Sequence, residues 1–449
     1  MNLYIHLEIS AREEDSNLLK SVLAAHAGFD VLISVSNIYN FLFKKNFLKK
    51  GVFHTKSLEH DNWKKNLIQI IYSLGNKITS LDEEAGIIKD KKSLEIFLRA
   101  RFTNDSLSKI NKVFCWGNDD YIMLKKLFPK FKDKFFLSGS SRVDMWKQKF
   151  KTYWLKNNGI KKEKILVSLN FPIVNGYLTY KTLINNLRTH GYFDRSKKFK
   201  DELDQLYEIK KTNFEHFKKM ITFLLEKLPD EKFIVRPHPV EKSETWVKLL
   251  SNFKNVEVDN SVNFNEQLSE SKILIHNSCT TSFQASLANK KVICFNPSNF
   301  DNEHGRIANK LGKMVLNENE LIKEIRSCNL EKKTKKKLDQ KIFKKKIENM
   351  NPNELSSNLI VKNWIEEGKN IKFEKNNFIF LKLLILFYNL ASWSRNILLG
   401  KEYKKHKFNK FDQKKIQEKI LKIEKILDLK NKSKVIKLAS NCILIKNNA

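Results

Sequence analysis

The chain alternates short apolar runs with longer amphipathic stretches over most of its length. In the first half, "NLYIHLEI", "FDVLISVS", "GVFHTKS", "KITSLDE", "KVFCWG" and "KFFLSGS" have the length and composition of strands. Between them Glu14–Ala27, Asn62–Leu74 and Asp119–Phe128 carry apolar residues at helical spacing. Residues 147–163 are polar and lysine-rich and read as a linker. A second series follows: "KILVSLNF", a long helix around Asp201–Leu228, "KFIVRPHP", "NVEVDN", "KILIHN" and "KVICFN". Strands alternating with helices predict parallel sheets covered on both faces. The pattern therefore predicts an α/β protein with two Rossmann-like domains, residues 1–150 and 160–330, their strand ends bordering a cleft. After about residue 330 the alternation stops. Residues 331–449 read as a helical, lysine-rich extension.

Composition sharpens this picture in two places. The formal net charge is +34, which implies an anionic partner such as nucleic acid, anionic lipid or a nucleotide-bearing substrate. An AT-rich genome would also enrich Lys, Asn, Ile and Phe, and the excess is uneven. Residues 401–449 hold fifteen lysines against five acids. The five cysteines are odd in number and scattered without metal-ligand spacing, so a reducing compartment and no zinc site are expected. The start "MNLYIHLEISAREED" lacks the basic and apolar segments of a secretory signal. No glycine-rich dinucleotide fingerprint follows the first strand, so no nicotinamide cofactor is expected.

Candidate chemistry collects at strand ends, where the ligands of open α/β sheets bind. In "ILIHNSCTTSFQASL" a strand closes on His276 and Asn277, and Ser278, Thr280 and Thr281 stand where a helix begins. Their hydroxyls can cap that helix and leave backbone N–H groups for a phosphate oxygen; a plain N-cap is the alternative. In "VRPHP", Arg236 is a fixed cation and His238, between two prolines, can donate to phosphate or act as a general acid. A structural loop histidine is the alternative there. Ser168 and Asn170 end the first strand of this half and join the donor-side set. In "KITSLDEEAGII" three carboxylates, Asp82, Glu83 and Glu84, leave a strand together. They suit a general base, or a solvated helix start.

The order "LEISAREEDSNLL", "DEEAG", "FCWGNDD", "FLSGSSRVDMW", "RPHP", "HNSCTTSFQASLANKKVICF", "NPNELS" resembles the bacterial surface carbohydrate biosynthesis proteins. It is similar, more distantly, to CDP-glycerol glycerophosphotransferases and to polysialyl and Kdo transferases. The resemblance spans roughly residues 1–360 and implies a GT-B-like fold, the first domain taking the acceptor and the second the nucleotide donor. It makes Glu83 or Glu84 the base, His238 the phosphate ligand or acid, and Ser278, Thr280 and Thr281 the donor cradle. Gly139, Arg142 and Asp144 match a loop of "GNPRFD" type at the domain junction, with Ser140-Ser141 replacing Asn-Pro.

The resulting expectation is a metal-independent transferase of surface polysaccharide synthesis. It would move a sugar or a polyol phosphate from a nucleotide-activated donor to a lipid-linked or polymeric glycan, with no cofactor. A UDP-sugar epimerase-like isomerase and a non-catalytic basic binding protein are the alternatives. No nucleic-acid module is visible. Phe378–Gly400 is the most apolar stretch, yet its core, Phe378–Leu390, is too short to span a bilayer. It reads either as a buried helix or as an interfacial one at an anionic membrane, which would place the protein in the cytoplasm at the inner face of that membrane.

Overall fold

The computed structural model describes the chain except residues 59–61, 84–90, 155–162, 190–192, 194–198, 299–306, 329–342, 352, 399–409 and 448–449. Two compact units emerge. The first comprises Met1–Ile87, Lys91–Tyr153 and Ile342–Ala449; the second comprises Trp154–Lys341 with Ile88–Asp90.

In the first unit six strands run parallel: β1 (Asn2–His6), β2 (Asp30–Ser34), β3 (Val52–Thr55), β4 (Lys77–Leu81), β5 (Lys112–Cys115) and β6 (Phe135–Leu137). The second unit holds six more: β7 (Lys164–Ser168), β8 (Phe233–Arg236), β9 (Val256–Val258), β10 (Ser271–His276), β11 (Lys291–Phe295) and β12 (Lys313–Val315). Their order is β12-β11-β10-β7-β8-β9, all parallel. The inner strands β7, β8, β10 and β11 are buried on both faces, which is why their centres are runs of Ile, Leu and Val. Helices predicted from spacing form where expected, at Ser10–His26, Asn62–Ser73, Asn118–Leu127 and Phe199–Lys227.

The C-terminal extension differs from its expectation. It contains helices at Ser356–Lys369, Phe378–Leu398 and Gln413–Leu427, but ends in a hairpin, β13 (Ser433–Ala439) and β14 (Cys442–Asn447). β14 pairs antiparallel with β2, so the first sheet has eight strands in the order β13-β14-β2-β1-β3-β4-β5-β6. The extension is thus the edge of the first unit's sheet rather than an appendage. Trp364 is fully buried there and donates from Nε1 to Thr79 Oγ1 at 2.9 Å. The residues read as a linker also begin as folded chain: Phe150 is buried, and the Tyr153 hydroxyl donates to Asp15 at 2.7 Å.

Each sheet has one point where the strand order reverses, and open α/β sheets bind their ligands at the carboxyl ends beside such a point. In the first unit it lies between β1 and β3, in the second between β7 and β10.

Candidate active-site residues in the two units

At the second unit's switch point, Ser168 and His276 are direct partners in the β7–β10 register. His276 is fully buried, and neither ring nitrogen has a hydrogen-bond partner among the described residues. Burial, with the charge of Lys210, pushes its pKa down to about 3, so the ring is neutral. A neutral imidazole offers one donor and one acceptor, not a cation.

Lys210, which sequence reasoning missed, supplies the charge. It is buried, and its Nζ donates to Asn277 Oδ1 at 2.7 Å. Asn213, one turn on, is fully buried; its Oδ1 accepts from the Ser298 hydroxyl at 2.7 Å, while its Nδ2 has no partner among the described residues. Their signal was present in the helix period. Lys210, Asn213, Phe214, Phe217, Met220, Ile221 and Leu224 form one buried stripe, and its first two members are polar.

The turn after β10 is pinned rather than capped. Ser278 has a left-handed φ of 49°; its N–H donates to Asn309 Oδ1 at 3.0 Å, and its carbonyl accepts from Asn170 Nδ2 at 3.2 Å. The helix is short, Thr281–Leu287, and Thr280 at its N-cap makes no side-chain cap bond. The Thr281 hydroxyl instead lies 3.3 Å from Ser168 Oγ. The expected capping role of these hydroxyls is therefore corrected: Thr281 turns back across the switch point because that is where its polar partner lies.

Arg236, expected as a fixed cation for phosphate, is anchored to the protein through one nitrogen. Its buried Nη1 donates to the Val262 carbonyl at 2.7 Å and to Gln267 Oε1 at 2.6 Å, and burial lowers its pKa to about 10. It ties the chain after β9 to the Phe264–Ser269 helix. His238 is half-buried, and its Nδ1 accepts from the Val240 N–H at 3.4 Å. That bond leaves the proton of the neutral ring on Nε2 and makes Nε2 a donor. The loop rests on Glu241, a second residue the sequence did not single out. This fully buried carboxylate accepts from the N–H groups of Phe171 (2.7 Å) and His238 (3.3 Å), and burial raises its pKa.

The first unit's switch point is crowded with charge. Glu13 is fully buried and accepts from the Glu8 N–H at 2.9 Å and from Arg12 at 2.9 Å. Burial works to raise its pKa, but Arg12, Lys56 and those bonds overcome it and hold the carboxyl below its ordinary value. Glu83 follows β4 and is buried. Its Oε1 lies 3.7 Å from the Nζ of fully buried Lys20, and its Oε2 has no hydrogen-bond partner among the described residues. Lys20 also lies 3.5 Å from His54 Nε2, and His54 Nδ1 is 3.0 Å from Thr79 Oγ1. Burial, then the Lys20 charge, hold the His54 pKa well below the usual range, so its Nε2 accepts from the ammonium. Asp82 turns instead towards Arg101, at 3.5 Å. Glu84 lies outside the described residues.

The "SGSSRVD" loop works inside the first unit. Gly139 has φ +75°, and a Cβ there would stand 2.4 Å from Ser356 Oγ. Fully buried Asp144 accepts from the N–H groups of Ser356 (3.0 Å) and Ser357 (2.8 Å), capping the Ser356–Lys369 helix. Arg142 Nη1 donates to the Glu83 carbonyl at 2.7 Å. One short loop therefore seats both the candidate base and the C-terminal helix. Among the described residues, no group of three or more His, Cys, Asp or Glu side chains is placed to hold a metal ion.

No protein-family profile and no curated protein matches the sequence. Solved structures do resemble the fold. The wall teichoic acid polymerase TagF, in a variant soaked with CDPG, aligns with TM-score 0.51 at 11% identity, covering 82% of this chain and 88% of that one. UDP-GlcNAc 2-epimerase from Methanocaldococcus jannaschii aligns with TM-score 0.47 at 15% identity, over 82% of this chain and 100% of that one. The UDP-GlcNAc 2-epimerase of Neisseria meningitidis gives 0.46 at 15%, again over 82% and 100%. The likeness to TagF, with the two doubly wound sheets, defines the class: the chain has a GT-B-like fold.

Proposed function

We propose that this protein is a transferase of surface polysaccharide synthesis, moving a sugar or a polyol phosphate from a nucleotide-activated donor to a glycan acceptor. The observation that carries the reading is the buried polar set at the β7/β10 switch point. The two nitrogens of His276 and Nδ2 of Asn213 are desolvated without a partner among the described residues. Burying such groups unpaired costs about 1–3 kcal/mol each, and a polar ligand removes that cost. The donor's sugar and phosphate oxygens are partners of that kind. Lys210 supplies positive charge beside them, and His238 Nε2 can donate to a phosphate or protonate a leaving group.

Glu83 is assigned as the base that takes a proton from the acceptor hydroxyl. Its Oε2, without a hydrogen-bond partner among the described residues, is the accepting atom, and Lys20 fixes the carboxylate through Oε1. The anionic donor meets fixed protein cations and donors in this reading, and no metal is invoked. The lipid-linked or polymeric acceptor and the cytoplasmic setting belong to the same proposal.

A thermal-shift screen of CMP-, CDP-, UDP- and GDP-linked compounds tests the donor class, because a binder of the folded state raises the melting temperature by mass action. Incubating the stabilising compound with and without glycan acceptor then separates the reaction types. Transfer requires the acceptor. Formation of an epimer of the donor sugar without any acceptor would establish an isomerase instead, and no stabilisation by any of the four classes would remove the nucleotide reading.

A further inference from the structure

We propose that the outer face of the Phe378–Leu398 helix is a docking surface for an anionic lipid bilayer. This rests on the surface itself and is independent of the reaction proposed above. The helix is apolar on both of its sides. Leu381 and Ile385 are buried in the first unit's core. On the opposite side Ile379 is 79% exposed, Leu383 63%, Phe387 72% and Leu390 65%. Their spacing of four, four and three residues makes one continuous stripe along the helix. Single exposed apolar residues are ordinary on a protein surface, but a contiguous stripe marks an interaction site.

The helix is held so that this stripe stays outward. Tyr388 stacks on Phe41 at 4.5 Å between ring centroids, and Phe380 meets Phe47 edge-on at 5.8 Å. Asn389 and Asn441 exchange paired amide hydrogen bonds at 3.0 Å, fastening the helix to the β13–β14 turn. Rotation of the stripe into the core would break all of these.

Charge selects the occupant. The Phe378–Leu398 sequence contains no Asp or Glu. Exposed Lys382 lies within it, exposed Lys375 precedes it, and exposed Lys44 and Lys45 stand three and two residues before the Phe47 that packs on Phe380. An apolar stripe rimmed by lysines matches the acyl and headgroup layers of an anionic leaflet. A second copy of the chain, seated face to face, would bring like-charged rims together. No helix among the described residues is long and apolar enough to cross a membrane, so the helix would lie on the surface.

The test is co-sedimentation of the full chain with vesicles of phosphatidylcholine alone or mixed with phosphatidylglycerol. Binding is expected to the mixed vesicles only, with release as salt rises from about 0.1 M to about 0.5 M. Leu383→Gln with Phe387→Gln should weaken it at least tenfold at an unchanged melting temperature, and Ile379→Gln with Leu390→Gln serves if the first pair fails to fold. Lys44→Gln and Lys45→Gln should each weaken it roughly fivefold. The proposal is overturned by absence of binding to the mixed vesicles, or by equal binding of the glutamine variants. It is equally overturned if the wild type is a dimer in solution that these variants convert to monomer, since the stripe then binds a second copy.

Discussion

The two switch points share a topology and differ in how they bury polarity. The first, between β1 and β3, holds opposite charges that answer one another: Glu13 with Arg12 and Lys56, Glu83 with Lys20. The second, between β7 and β10, holds neutral polar atoms without partners among the described residues, the two ring nitrogens of His276 and Nδ2 of Asn213, beside one lysine. The contrast teaches that burial has opposite consequences in the two places. Removing one member of a compensated pair strands its partner, whereas removing an unpartnered group relieves the fold. The first site is built to hold its carboxylate whether or not a ligand is present. The second is completed by what binds there.

Substitutions can break or sharpen this contrast. The largest effect is expected for Glu83→Gln, which keeps the shape and removes the base. Turnover should fall about a thousandfold, within the range general bases contribute, and stability should fall as well because buried Lys20 loses its counter-charge. Steady-state transfer with the identified donor measures it, and normal turnover would return Glu83 to a structural role. Lys20→Met should come next. It leaves Glu83 buried without its cation and should destabilise the first unit by about 3–5 kcal/mol, read by urea unfolding. A neutral outcome would mean that the charges at this switch point are not mutually dependent.

His238→Ala should lower turnover about a hundredfold while leaving the fold intact, because water can satisfy the Val240 N–H that the ring accepts from. Loss of the folded state instead would make it a loop anchor. His276→Leu should act on binding and not on stability. Apo stability is expected to stay within about 1 kcal/mol of wild type or to rise, while the nucleotide-induced rise in melting temperature disappears.

The same variant carries a pH signature. Because the folded pKa of His276 lies below that of the unfolded chain, the unfolded state binds more protons between about pH 6.5 and 3. Its contribution is therefore fully present above pH 6.5 and is lost as pH falls, by up to about 1.4 kcal/mol per pH unit. His276→Leu should remove one proton's worth of that slope. His54, shifted the same way in the first unit, should keep its own share in that variant. Identical acid slopes in wild type and variant would show that the His276 ring is not held neutral.

Much of this was legible in the chain because it is local. A strand buried on both faces must be a short apolar run, and a covering helix must repeat at about 3.6 residues. The α/β alternation, the strand ends carrying Ser168, His238 and His276, and the acidic exit at Glu83 all follow from such patterns. Lys210 and Asn213 were legible too, as polar members of an apolar stripe. The β13–β14 hairpin was as well, from the short β-branched runs either side of Ser440-Asn441 that its lysines obscured.

By itself, then, the sequence determined which segments become strands and helices, where polar groups leave the sheets, and the excess of positive charge. Only the tertiary structure decided what those groups meet. Local pattern does not name a partner hundreds of residues away, so it could not show that Asp144 caps the helix at Ser356, that β14 pairs with β2, or that Trp364 reaches Thr79. Nor could it divide the Phe378–Leu398 helix, apolar on both sides, into a buried stripe and an exposed one. Burial of one side depends on which surface the helix is folded against, and that surface comes from the other end of the chain.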